Sequence, residues 1–224
     1  ADVSAERVAG SHPGWVAVPG GRYLLGAHRS APFLFDNEKW AHEIVIPPFE
    51  IAKAPVTNRE FQNFVDSGGY ENATHWDLEG RAWCQETGST HPVYWQPHCP
   101  GNWLIRQFDK SLPLPLDEPI IHVNWHEANA YCRWAGQRLP TEAEWEAAAL
   151  GKTGPDGNLA PVKRRFPWGN TPPNPHRANL DGRGLGPVDV AALPAGDSAF
   201  GCRQMLGNVW EWSGYISGLP GVFS

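Results

Sequence analysis

A chain of 224 residues, 41% of them hydrophobic, has room for one large domain or two small ones. It contains no apolar run near the ~18 residues that a membrane-spanning helix needs. A formal net charge of −6 argues against a nucleic-acid partner, whose phosphates call for a basic excess. Glycine (24) and proline (22) are abundant, but so is tryptophan (12). Disordered chains are poor in aromatics, so the composition describes a folded, loop-rich domain.

Residues 1–12 read as linker, and the opening ADVSAERVAG has no apolar signal core. A cytoplasmic setting is therefore expected, with residues 13–224 forming the domain. Strand-like sequence covers Trp15 to Pro19, a Gly20-Gly21 turn, and then Arg22 to Gly26. It resumes in the alternating runs at residues 42–46 and 49–52. Three capping boxes predict helices. Thr57 and Glu60 open a helix whose stripe is Phe61, Phe64 and Val65, ending at Gly68. Asn124 and Glu127 open one carrying Ala128, Tyr131, Cys132 and Ala135 on one face, ending at Gly136. Thr141 and Glu144 open a third, behind Pro140 and ending near Gly151. From Gly151 to Gly207 the sequence is dense in Pro, Gly and Asn, and loops of that length are usually functional or pinned. Few helices, short strands and long loops define an α+β domain.

The cysteines, Cys84, Cys99, Cys132 and Cys202, show no metal-knuckle spacing. Cys132 fits a buried helix face. Cys84 and Cys99 lie in loop-like sequence and could pair, although a reduced state is the default. His122 and His126 are four apart, but the cap at Asn124 leaves His122 before the helix, so the rings share no face and His126 is expected to be solvated. Asp36, Asn37, Glu38 and Trp40 combine hydrogen-bonding side chains with an aromatic. They form either an Asx-turn on a loop or a rim for a zwitterionic or cationic substrate. His42 is either part of that site or a strand-surface residue. In an alternating strand Trp210 and Trp212 share a face and Glu211 takes the other, giving two core tryptophans or a substrate wall.

Two segments are specific: RLPTEAEWE from Arg138, preceded by VNWHEANAYCRW from Val123, and GNVWEW from Gly207 to Trp212. Together with Pro55-Val-Thr-Asn58 and Phe166-Pro-Trp-Gly169 in the same order, they resemble the formylglycine-generating enzyme (sulfatase-modifying factor) family. The resemblance runs from about Trp15 to Trp212. It implies a C-type-lectin-like fold, with a small twisted antiparallel sheet, short helices and long irregular loops. The FDNEKWAH run ending at His42, Gly68-Gly-Tyr with Trp76, HPVYW ending at Trp95, and His122 narrow the likeness. They resemble the C-terminal domain of the ergothioneine-type sulfoxide synthases, ovothiol and selenoneine relatives included.

In those enzymes the resemblance implies iron(II) held by histidines of an upstream helical domain. It also implies oxygen-dependent C–S or C–Se bond formation on a histidine betaine with a thiol or selenol donor. The substrate wall would be Asp36, Asn37, Glu38, Trp40, His42, Trp210 and Trp212. A calcium site is implied at Gln204 (normally Asn), the Gly207 and Val209 carbonyls and Glu211, and a second at Asn179, the Leu180 carbonyl and Asp181. Oxygen-only ligation suits such a hard cation. The sequence departs from the family pattern in two ways. It contains no H-x-x-x-H-x-E iron helix, and it stops at Ser224, short of the R-G-G-S-W strand, so a C-terminal segment is expected to be missing. The leading expectation is the substrate-binding domain of a sulfoxide synthase. The alternatives are a formylglycine-generating oxidase, which needs a cysteine pair, and a non-catalytic lectin-like binding module.

Overall fold

The computed structural model describes residues 11–29, 38–99, 101–182 and 185–214. The domain is α+β, built among the described residues from short antiparallel sheets and four α-helices. Strand β1 (Trp15–Val18) does not form a hairpin with β2 (Gly21–Leu25). After β3 (His42–Ile46), β4 (Phe49–Ala52) returns to pair with β1, while β2 pairs with β3. The Gly20-Gly21 turn therefore passes the chain between two small sheets. The burial alternates as a half-covered strand requires: Val16 and Val18 point inward, and Trp15 points out.

All three expected capping boxes form, each with both reciprocal bonds, at the starts of α1 (Asn58–Asp66), α3 (Trp125–Ala135) and α4 (Glu142–Leu150). The sequence reading overlooked α2 (Leu78–Thr87), capped by Asp77 and ended by left-handed Gly88. It also overlooked the three-stranded sheet β5 (Trp95–Cys99), β6 (Asn102–Gln107) and β7 (Lys110–Pro113). Cys84 thus lies in a helix and Cys99 at a strand end rather than in loops, and all four cysteines are free thiols.

Two cores result. In the first, Phe61 and Phe64 of α1 meet Tyr131 of α3 at 5.5 and 6.1 Å, ringed by Trp76, Trp95 and Trp134. Each such aromatic contributes roughly 1.5–3 kcal/mol by leaving water. In the second, Ala147, Ala148 and Ala149 of α4 let the helix approach Val18, Tyr23 and Ile46 closely. Among the described residues no helix is long and apolar enough to cross a membrane.

Candidate functional site

Helix α4 and the turn before it grip the segment from Gly207 to Trp212. Glu144, at the third position of the helix, accepts from Thr141 N at 2.8 Å and holds the Arg138 fork at 2.6 and 2.7 Å. This guanidinium, more than any other cause, keeps the Glu144 carboxyl below its ordinary pKa. Gly214 N then donates to Pro140 O at 2.7 Å, and Thr141 bridges Gly214 in parallel. Trp145 donates its indole N–H to Glu211 Oε2 at 3.0 Å. Two further indoles close the segment, Trp125 donating to Ser213 O at 2.9 Å and Trp212 to Val123 O at 3.0 Å. The two most specific sequence motifs are therefore one spatial unit.

The sequence had Trp210–Trp212 as an alternating strand, but the segment joins no sheet. Neither tryptophan is in the core: Trp210 is fully exposed and Trp212 is 49% exposed. Glu211 is exposed as a residue, yet the atoms crowding its carboxyl push the pKa up to about 7 against the pull of the Trp145 bond.

The next residue of α4 serves the other half of the expected wall. Glu146 accepts from Gly26 N at 3.2 Å, Tyr23 OH at 3.0 Å and Lys163 Nζ at 2.5 Å, and Lys163 also donates to Gly26 O at 2.5 Å. Gly26 is left-handed, with φ +87, and a Cβ there would come within 2.9 Å of Glu38 O, so glycine is required. Ala27 N donates to Glu38 O at 2.7 Å and Ala41 N to Ala27 O at 2.9 Å. These bonds bring Glu38, Trp40 and His42 to one edge, where all three are exposed. The His42 ring lies 3.1 Å from Trp40 O. The Arg29 guanidinium stands 4.6 Å from the centre of the Trp40 ring. Asp36 and Asn37 lie outside the described residues. The Glu38–His42 edge and the Trp210–Trp212 segment thus hang on adjacent residues of α4.

Gln204 is buried, donating to Asp189 O at 2.8 Å and Ala192 O at 3.3 Å, while its Oε1 accepts from Asn208 Nδ2 at 2.5 Å. Its Oε1 keeps a second lone pair beside the Asn208 bond. Asn179 is likewise tied to Asn208 Oδ1 and Gly186 O at 3.0 Å each, and Gly207 packs so tightly on Asn179 O that a Cβ would reach 2.6 Å. The carbonyls of Gly207, Val209 and Leu180 and the carboxylates of Glu211 and Asp181 are oxygens of the kind a hard cation takes. Among the described residues no three His, Cys, Asp or Glu side chains gather as a metal site. The described residues therefore do not fit iron.

His122 and His126 do have separate surroundings. His122 is left-handed, with φ 61, and its ring meets Tyr94 at 4.8 Å. His126 is not solvated as expected: it is half-buried, 3.2 Å from Asp77. Burial pushes the thiols of Cys84, Cys132 and Cys202 up to about 11, which leaves them protonated and inert near neutral pH. The sequence reading did not single out Glu146, Lys163 or Arg29. Glu146 could have been found: a carboxylate beside three consecutive alanines on a core-facing helix needs a partner.

This fold and its clamped tryptophan segment define a class. Residues 1–215 match the sulfatase-modifying factor enzyme 1-like domain, and the chain belongs to that family. Among relatives, it is 44% identical over 199 residues to a hercynine oxygenase of Mycolicibacterium smegmatis, covering 88% of this chain and 44% of that protein. It is 34% identical to a formylglycine-generating enzyme of Thermomonospora curvata, covering 89% of this chain and 70% of that one. PvdO from Pseudomonas aeruginosa shares the fold, with a TM-score of 0.53, 21% identity and coverage of 89% and 69%. The chain spans under half the length of the hercynine oxygenases it matches.

Proposed function

We propose that this chain is the substrate-binding domain of an iron- and oxygen-dependent sulfoxide synthase. The enzyme joins a sulfur or selenium donor to the imidazole of a histidine betaine, and its iron is held by residues of an upstream helical domain. The supporting observation is identity of 42–44% to hercynine oxygenases across 85–88% of the chain, against 34% to a formylglycine-generating enzyme.

On this reading the chain binds and orients the imidazole substrate, and orientation supplies much of the barrier reduction. The wall consists of Asp36, Asn37, Glu38, Trp40 and His42 on one side and Trp210 and Trp212 on the other. A calcium ion would take the Gly207 and Val209 carbonyls and Glu211, with Asn179, Leu180 and Asp181 nearby, and would stiffen the second side. In the full-length protein, Glu38→Ala or Trp40→Ala should raise KM for the betaine while iron content stays unchanged. Wild-type kinetics in both variants would remove that edge from the wall.

A further inference from the structure

The Trp40 ring is not open to a cationic substrate on both faces, because the Arg29 guanidinium lies over it at 4.6 Å and Lys39 Nζ stands 5.8 Å from its centre. A quaternary ammonium placed there would meet like charge. Arg29 is exposed, and among the described residues it makes no hydrogen bond or ion pair. Other guanidiniums of this fold are closed by carboxylates. The Nε–Nη2 edge of Arg203 takes both oxygens of Asp197 at 2.8 Å, that of Arg59 holds Asp117 at 3.3 and 3.1 Å, and Arg138 grips Glu144. Arg29 has the same donors, oriented by a ring and lacking an acceptor among the described residues.

From this geometry we infer that Arg29, stacked on Trp40, receives the carboxylate of the imidazole substrate. The inference rests on the proposed function. A planar guanidinium matches a carboxylate with two parallel N–H donors, and stacking on an aromatic fixes the plane in advance. The stack stands on a built base. Glu146 and Lys163 lock Gly26, and the bonds from Ala27 N to Glu38 O and from Ala41 N to Ala27 O close the loop mouth, so residues 29 and 40 face each other across it. Trp40 then acts as the platform for Arg29 rather than as the ammonium site. The positive charge of the betaine is left to other aromatics of the wall.

The test uses the full-length iron-loaded enzyme, with histidine betaine compared against its decarboxylated analogue at saturating thiol donor. Arg29→Gln should raise KM for the betaine about tenfold or more, the loss expected for a charged hydrogen-bonded pair. It should leave KM for the analogue, KM for the donor and iron content unchanged, and Arg29→Lys should recover part of the loss. An equal effect on betaine and analogue, no effect on either, or a rise confined to the donor's KM would overturn the assignment. Failure of the wild-type enzyme to turn over the betaine would instead overturn the proposed function, and the assignment with it.

Discussion

The Trp145 indole donates to Glu211 Oε2 at 3.0 Å across 66 residues of sequence, and Glu146 beside it holds Gly26 across 120. One turn of α4 thereby sets the positions of two loop segments that have no ladder of their own. Trp145→Phe keeps the ring and removes the donor. Amide exchange in residues 207–214 should quicken while the rest of the domain keeps its protection, because one hydrogen bond is worth about 1 kcal/mol. Unchanged exchange there would mean that the bond does not restrain the segment.

Glu144 combines a helix cap with the Arg138 pair, so its truncation has two costs. Glu144→Ala should lower stability by roughly 1–3 kcal/mol, since it removes the capping box and the Arg138 pair, although solvent takes over the donors of the largely exposed guanidinium. Arg138→Ala should cost less, because Glu144 keeps its capping-box bonds with Thr141 and loses only a pair whose guanidinium side is largely exposed. Denaturant melts of the two variants give the order.

Glu127 is buried in the first core, capping α3 and accepting from Tyr70 OH at 2.5 Å. Burial raises its pKa above the ordinary 4.5, opposed by the Tyr70 and Asn124 bonds. A raised pKa in the folded state means that the unfolded chain ionises first. Its contribution to stability is full below about pH 4.5 and is lost as pH rises through the folded value. Glu127→Gln should flatten that decline, visible as a smaller difference in melting temperature between acid and neutral pH. An identical slope in the variant would refute it.

Gln204 separates two accounts of its loop. As a buried hydrogen-bonding hub its replacement by Ala should cost roughly 2–3 kcal/mol, because partners are left unsatisfied. The loss should be the same with calcium or with chelator. A calcium ion on the Gly207, Val209 and Glu211 oxygens would appear separately, as a fall in wild-type melting temperature when chelator is added.

Local signals carried much of the fold. The capping boxes at Thr57, Asn124 and Thr141 are written in four residues each and formed as read. Helix α2 escaped because its apolar residues lack a face, with Leu78 84% exposed. Its signals were Asp77 at one end and Gly88 at the other. In the β5–β7 sheet, Pro97 and Pro113 obscured the strands, since proline cannot donate to a ladder. The pairing of the first four strands depends on which distant segment covers which core, and no local pattern encodes that. The same holds for the site. The motifs around Trp145 and Glu211 were legible, but the bond between them and the Glu146–Lys163–Gly26 lock are long-range. The WEW run looked like a strand because alternation of Trp and Glu is also what a clamped, unpaired segment shows.

The most direct measurement is product analysis by mass spectrometry of the full-length enzyme, supplied with iron(II), oxygen, histidine betaine and a thiol or selenol donor. The account predicts a new C–S or C–Se bond on the imidazole ring, with the product formed only when betaine and donor are both present. No imidazole adduct, together with conversion of a sulfatase-derived cysteine peptide to formylglycine by the same preparation, would contradict it.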